Sequence, residues 1–398
     1  MRSQVVLGLG GGIDFELKPS VQTLEQLIEE YGISLVELST SMRVTTERDL
    51  VISILAYIKR GGGGEQFIAS AGALHTFAER FPRRVTLGGT STRAAIALSR
   101  LGVPSRIHLV TLNRYVRELL PDDCGYVSSS GQDSYYPHLI VQYDQGMVIR
   151  ANDIDLHAPA ANRLIYVNDP DNELLVISEE LGDMLGKAGL FLVSGFNAVR
   201  DFDVLDERLS ALRRHMRQLP ASALVYLEDA AYHEPAFRQH VLSRLLEVID
   251  IFSLNEDEMQ AQLGRAVDLL NVADVEAAID ELKRLIPAPT LVLHTKYWAA
   301  AIGANAAGYV HGLELGITMA STRYSYGDEF SDKHYERIQA SPRGAAATRF
   351  ADELSARMGG TVLCRPGFVL NVDEPTTVGL GDTFVGGFLA AIACGGLR

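Results

Sequence analysis

Four short apolar runs, at 190–193, 224–227, 251–254 and 291–294, are spaced by stretches with helical periodicity at about 203–217, 236–248 and 273–285. This rhythm is the strongest constraint on the fold. Parallel strands need a crossover of a dozen or more residues, usually a helix, and these intervals supply one each time. The pattern predicts βαβ units and a mostly parallel sheet with helices on both faces. Such sheets bind ligands beyond the carboxyl ends of their strands. The chain has 398 residues, enough for a large α/β core and a smaller second domain.

The N-terminal third carries glycine-rich turns at strand ends. An apolar run at 5–9 leads into Gly10-Gly11-Gly12 and then Asp14, which reads either as a ligand-presenting strand end or as a plain turn. Helical periodicity marks 21–31 and 47–59. Gly61 to Gly64 end at Glu65, and a helical stretch is expected near 66–80. A run at 85–87 leads into Gly88-Gly89, followed by a helix over 91–101 and a strand over 106–110. The middle differs. Short strand candidates at 138–141, 147–150, 164–167 and 174–177 are divided by Asp, Asn, Pro and Gly turns, which predicts an antiparallel sheet serving as part of a lid.

Composition excludes several classes. No run of eighteen apolar residues is present, so no membrane span is expected, and the first residues lack the pattern of a signal peptide. The net charge of −14 disfavours non-specific nucleic-acid binding. Cys124, Cys364 and Cys394 fit neither a metal-ligand spacing nor a disulfide framework, so a cytoplasmic setting is expected.

The chemistry concentrates near the C-terminus. Gly379, Gly381 and Asp382 precede an apolar helical stretch over 383–393. Backbone N–H groups at a helix start can hold phosphate oxygens, and glycine lets them come close. A carboxylate there can take the proton of a hydroxyl that attacks phosphorus. The same run also reads as an aspartate cap after a glycine turn. Asn255 and Glu258 share one face of a starting helix, with Glu228 at the end of the preceding strand. Their oxygens suit Mg²⁺, directly or through water. Asp257 and Glu256 are alternatives in another register, and a capped helix start with solvent-facing acids is the plainer reading of these residues alone. Asp14 and Glu65, with Gly88 and Gly89 beside them, suit hydrogen bonds to sugar hydroxyls, although a turn acid and a helix cap are the simpler readings. Arg93 and Arg200 each suit a substrate phosphate or an ion pair. His294 at a strand end reads as a nucleotide-pocket residue or a packed histidine, and Arg323 as a phosphate contact or a surface salt bridge.

The run Thr376-Thr377-Val378-Gly379-Leu380-Gly381-Asp382-Thr383 closely resembles the terminal signature of the ADP-dependent glucokinase and phosphofructokinase family, within the ribokinase-like superfamily. Segments around Gly195-Phe196-Asn197, Glu228-Asp229, Asn255 to Glu258 and His294-Thr295 agree in the same order, covering much of 190–389. The resemblance implies an α/β core, with a smaller discontinuous lid. The core is expected from 1–14, 83–111 and 180–398, and the lid from 15–82 and 112–179. It implies transfer of the β-phosphoryl group of ADP to a sugar or sugar phosphate in carbohydrate metabolism. Asp382 is the implied base, with Val378, Gly379 and Gly381 forming the anion hole. Glu228 and Glu258, with Asp382 nearby, are the implied Mg²⁺ residues, and Asn255, His294 and Arg323 the nucleotide residues. Asp14, Glu65, Gly88, Gly89, Arg93, Asn197 and Arg200 fall to the acceptor side. The chain departs from the family at Tyr226, where histidine is more usual, and at Thr90-Ser91-Thr92-Arg93 after the glycine pair. An ATP-dependent ribokinase-like kinase and a silent sugar- or nucleotide-binding homologue are the competing functions. A monomer or small homo-oligomer is expected.

Overall fold

The computed structural model describes residues 4–372 and 375–395. Its sixteen strands are β1 Gln4–Leu7, β2 Gly12–Leu17, β3 Gly64–Phe67, β4 Arg83–Gly88, β5 Ser105–Leu109, β6 Cys124–Ser128, β7 His138–Tyr143, β8 Val148–Ala151, β9 Ile154–His157, β10 Asn162–Val167, β11 Ala188–Val193, β12 Leu224–Glu228, β13 Ile251–Asn255, β14 Thr290–His294, β15 Trp298–Gly303 and β16 Val362–Pro366. Nine of them form the central sheet, in the order β16-β15-β14-β13-β12-β11-β1-β5-β6. Pairing is parallel from β14 through to β6, and antiparallel for β15 and β16. The four runs that set the rhythm are adjacent strands in this sheet, as expected.

Alternation along these strands divides the core in two. Leu190, Leu192, Ile251 and Val292 point to one face, and Phe191, Val193, Phe252, Leu291 and Leu293 to the other. Both faces are therefore covered. Helices Phe202–Met216, Pro235–Leu245 and Val272–Leu285 bury apolar residues on the second face. On the first lie helices Thr90–Arg100, Val310–Tyr326 and Leu380–Ala393. The last is in near-backbone contact with each of the other two. A Cβ on Gly386 would fall 2.5 Å from the Ala97 Cβ, and one on Gly387 would fall 2.6 Å from the Leu315 carbonyl oxygen.

A five-stranded sheet, ordered β3-β10-β7-β2-β4, faces the central one. The chain crosses between the sheets at Gly10 and Gly11, both at positive φ, so the N-terminal glycine run is a hinge between layers rather than a simple strand end. The sheet is mixed, not antiparallel: β3 runs parallel to β10, and β2 parallel to β7. Strands β2 and β4 belong to it, and β6 belongs to the central sheet, so these three runs sit differently from the sequence-based division. The run at 147–150 pairs only locally, as the hairpin β8–β9.

Two local expectations fail. Residues 174–177 form no strand. Asp169 caps Asn172 N, Pro170 occupies the first turn, and the helix Pro170–Leu174 ends at Leu175 with φ 41°. The helix near 66–80 is shorter, Ala71–Glu79, because Gln66 and Phe67 pair with Tyr166 and Val167 in the five-stranded sheet.

Candidate active site

The two sheets enclose a cleft of about 740 Å³. One wall is the carboxyl edge of the central sheet, with Glu228, Asn255, Glu258 and His294. The other is the face of the five-stranded sheet, with Asp14, Glu65 and His138. The loop Val378 to Asp382 forms part of its lining.

Helix Leu380–Ala393 begins at Gly379, whose φ of 67° is left-handed and suits glycine. No side chain caps the first turn, so its N–H groups remain available to an anion. Asp382 is the third helical residue and not the cap. It accepts a hydrogen bond from Thr90 Oγ1 at 2.8 Å, and its second oxygen lies 3.8 Å from Arg93 Nε. The plain aspartate-cap reading is therefore not the geometry adopted.

The acidic wall is tightly arranged. His294 Nε2 and Glu228 Oε1 are 2.9 Å apart. Burial alone would lower the His294 pKa, but the neighbouring Glu228 carboxylate reverses this and raises it. The imidazole beside Glu228 thus comes from β14, while Tyr226 on β12 is buried and packs on Phe388. His294 stacks on Phe384 and lies against Gly381, where a Cβ would be 3.1 Å from its Cε1. Asn255 caps helix Glu256–Leu263, accepting from Asp257 N and Glu258 N, while Glu258 Oε2 accepts from Asn255 N at 2.9 Å. The capped start is real, but Glu258 is buried, not solvent-facing, and only Asp257 is exposed. Burial, then Glu228 and Asp229 nearby, push the Glu258 carboxyl well above the ordinary range. Glu228 Oε2 is buried without a hydrogen-bond partner. Among the described residues no group of three or more His, Cys, Asp or Glu is placed to hold a metal alone.

On the opposite wall, Asp14 accepts from Arg93 Nη2 at 2.7 Å. Its other oxygen faces His138 Nδ1 at 3.7 Å, and His138 Nε2 lies 3.1 Å from Asp169 Oδ2. Burial would lower the His138 pKa, but Asp169, Asp14 and Glu65 raise it to about 9. Asn172 clamps Gly11 N through its side-chain oxygen at 3.0 Å, securing the hinge between layers. A Cβ on Gly88 would overlap Asp14 Oδ1, so the glycine lets the strands β2 and β4 close around that acid. Gly89 and Asn197 also line the cleft.

Two expected residues lie elsewhere. Arg323 is buried behind the loop, donates to the Val378 carbonyl at 2.9 Å and pairs with Asp328; it is neither a cleft residue nor a surface salt bridge. Arg200 is half-exposed outside the cleft lining, its guanidinium 4.4 Å over the Phe67 ring and 3.9 Å from Glu173. Thr90, His138, Asp169 and Asn172 were given no site role from sequence. Only Thr90 and Asp169 carried a signal, as polar residues at helix starts.

This is a ribokinase-like α/β fold with an accessory sheet closing over the carboxyl edge of the main one. The chain belongs to the ADP-specific Phosphofructokinase/Glucokinase family, whose conserved region it matches over residues 3–390. A phosphofructokinase of Pyrococcus horikoshii OT3 solved with AMP superposes at a TM-score of 0.78, with 18% identity over 98% of each chain. An ADP-dependent kinase in complex with fructose-6-phosphate and ADPβS gives 0.75, with 12% identity over 99% of this chain and 94% of that one. A probable ADP-dependent glucokinase of Caenorhabditis elegans is 22% identical over 126 residues, which span 31% of this chain and only 24% of that relative.

Proposed function

We propose that the protein is an ADP-dependent sugar kinase, transferring the β-phosphoryl group of ADP to a hydroxyl of a sugar or sugar phosphate and releasing AMP. The observation that carries this reading is Asp382, in the uncapped first turn of a helix beneath the cleft, with one oxygen on Thr90. The Val378 to Gly381 backbone holds the transferring phosphoryl oxygens, and Asp382 takes the proton of the attacking hydroxyl. Asn255 and His294 shape the nucleotide side. Asp14, Glu65, Gly88, Gly89 and Asn197 hold the acceptor, with Arg93 acting through Asp14 and Arg200 at the rim.

Glu228 and Glu258 fit a divalent cation. One has an orphaned buried oxygen, and the other sits beside it with its charge penalised by burial. Mg²⁺ commonly takes only one or two carboxylates, the rest of its shell being water and nucleotide phosphate. When bound, Mg²⁺ would neutralise phosphate charge. The three cysteines are free, two of them buried, in keeping with a cytoplasmic enzyme. Among the described residues no helix is long and apolar enough to cross a membrane.

The test is a matrix of ADP and ATP against glucose, fructose 6-phosphate, ribose and nucleosides at matched free Mg²⁺. Higher kcat/KM with ADP on a sugar acceptor is expected. Equal or better turnover with ATP would overturn the donor, and no transfer in any cell of the matrix would overturn the kinase.

A further inference from the structure

Arg93 differs from the other charged residues of the cleft in touching acids from both layers. It lies one turn into helix Thr90–Arg100 and is only 2% exposed. Its Nη2 donates to Asp14 Oδ2 at 2.7 Å and reaches Glu16 Oε1 at 3.4 Å; both acids stand on β2 of the five-stranded sheet. Its Nε faces Asp382 Oδ2 at 3.8 Å, on the helix that carries the phosphate loop. Its stem crosses the α-carbon of Gly379, where a Cβ would fall 2.4 Å from Arg93 Cδ. The remaining nitrogen, Nη1, is buried and has no hydrogen-bond partner. Enclosed in this way, the guanidinium is held between the acids of the two layers at the edge of the cleft. It can hold two carboxylates at one spacing, because its nitrogens form a rigid planar fork.

We infer that Arg93 is a positioning residue that fixes the Asp382 carboxylate relative to Asp14, so that the general base and the acceptor-binding acid keep one separation during transfer. Thr90 holds the first oxygen of Asp382, and Arg93 sets the second. The inference rests on the reading of Asp382 as base. Its consequence is kinetic: small displacements of a reacting group can cost about 100-fold in rate without loss of binding.

The experiment compares the parent, Arg93→Lys, Asp382→Asn and the double variant, using the best donor and acceptor from the matrix. Lysine keeps a charge for Asp14 but lacks the fork that reaches Asp382. Expected is a fall in kcat of roughly 10- to 100-fold, with both KM values within a few fold of the parent. In the Asp382→Asn background the same change should cost nothing further, since the group it positions is gone. Equal losses in both backgrounds would overturn the inference, as would a raised acceptor KM with kcat retained, or unchanged kinetics. Asp382→Asn within a few fold of the parent would sink the base reading itself, and this one with it. An Asp382→Asn loss with an independent Arg93→Lys loss sinks this one alone. Should Arg93→Lys fail to fold, Arg93→Met with Glu16→Gln removes a cation and an anion together and supports the same comparison.

Discussion

Asp382 offers a clean residue-scale test. Asparagine keeps the volume and the hydrogen bond from Thr90 but is a very poor proton acceptor. Asp382→Asn should lower kcat by about 10²–10⁴-fold, with modest change in nucleotide affinity and none in fold; a purely structural role predicts near-parent activity instead. Glu228→Gln and Glu258→Gln should each cost most of the turnover, partly recovered at high Mg²⁺, whereas unaltered metal dependence in both would remove them from the cation site. His138 gives a pH prediction. Its folded pKa is raised from 6.5 to about 9, so its charged form stabilises the fold fully below about pH 6.5, and that contribution is lost as pH rises through 9. The stability gap between the parent and His138→Gln, read from urea unfolding, should be constant below pH 6.5 and shrink towards pH 9. A gap of fixed size across that range would mean that the histidine carries no such charge.

At the scale of elements, the loop and helix at 378–393 dominate. Gly379→Ala places a Cβ at a φ of 67° and against the Arg93 stem. A loss of roughly 1–3 kcal/mol is expected, together with a raised KM for ADP; an unchanged melting temperature would show that the loop relaxes freely. This element was legible because its glycines, acid and apolar run are contiguous. The rhythmic strands were legible for the same reason. Strand β15 was not: Trp298-Ala-Ala-Ala-Ile-Gly303 has none of the alternation of a half-exposed strand. It is a strand because it fits between β14 and β16, with Ala299 and Ala301 turned to one core and Ala300 to the other. The mixed pairing of β2 with β7 and of β3 with β10 joins segments far apart in sequence, which no local pattern encodes. Arg323 was misplaced because a buried partner, the Val378 carbonyl, lies 55 residues away. His138 and Asn172 escaped notice because their roles exist only once the hinge and the second sheet are folded.

For the whole molecule, the cleft between the two sheets is expected to close on its ligands. Water inside it would compete with the sugar hydroxyl for the phosphoryl group. Small-angle scattering should show a smaller radius of gyration with nucleotide and sugar together than with neither, and an envelope unchanged by both ligands would count against closure. The seam of Gly386 and Gly387 against Ala94, Ala97 and Leu315 sets what can move. With no space between Leu380–Ala393 and the two helices beside it, it cannot slide past them, and the amides of its buried stretch, from Phe384 to Ala391, have no local route to solvent. In hydrogen–deuterium exchange they should be among the slowest in the protein, opening only when the core as a whole unfolds, while the five-stranded sheet exchanges sooner. The phosphate loop would then be as long-lived as the core itself, mounted on a part of the protein that does not breathe.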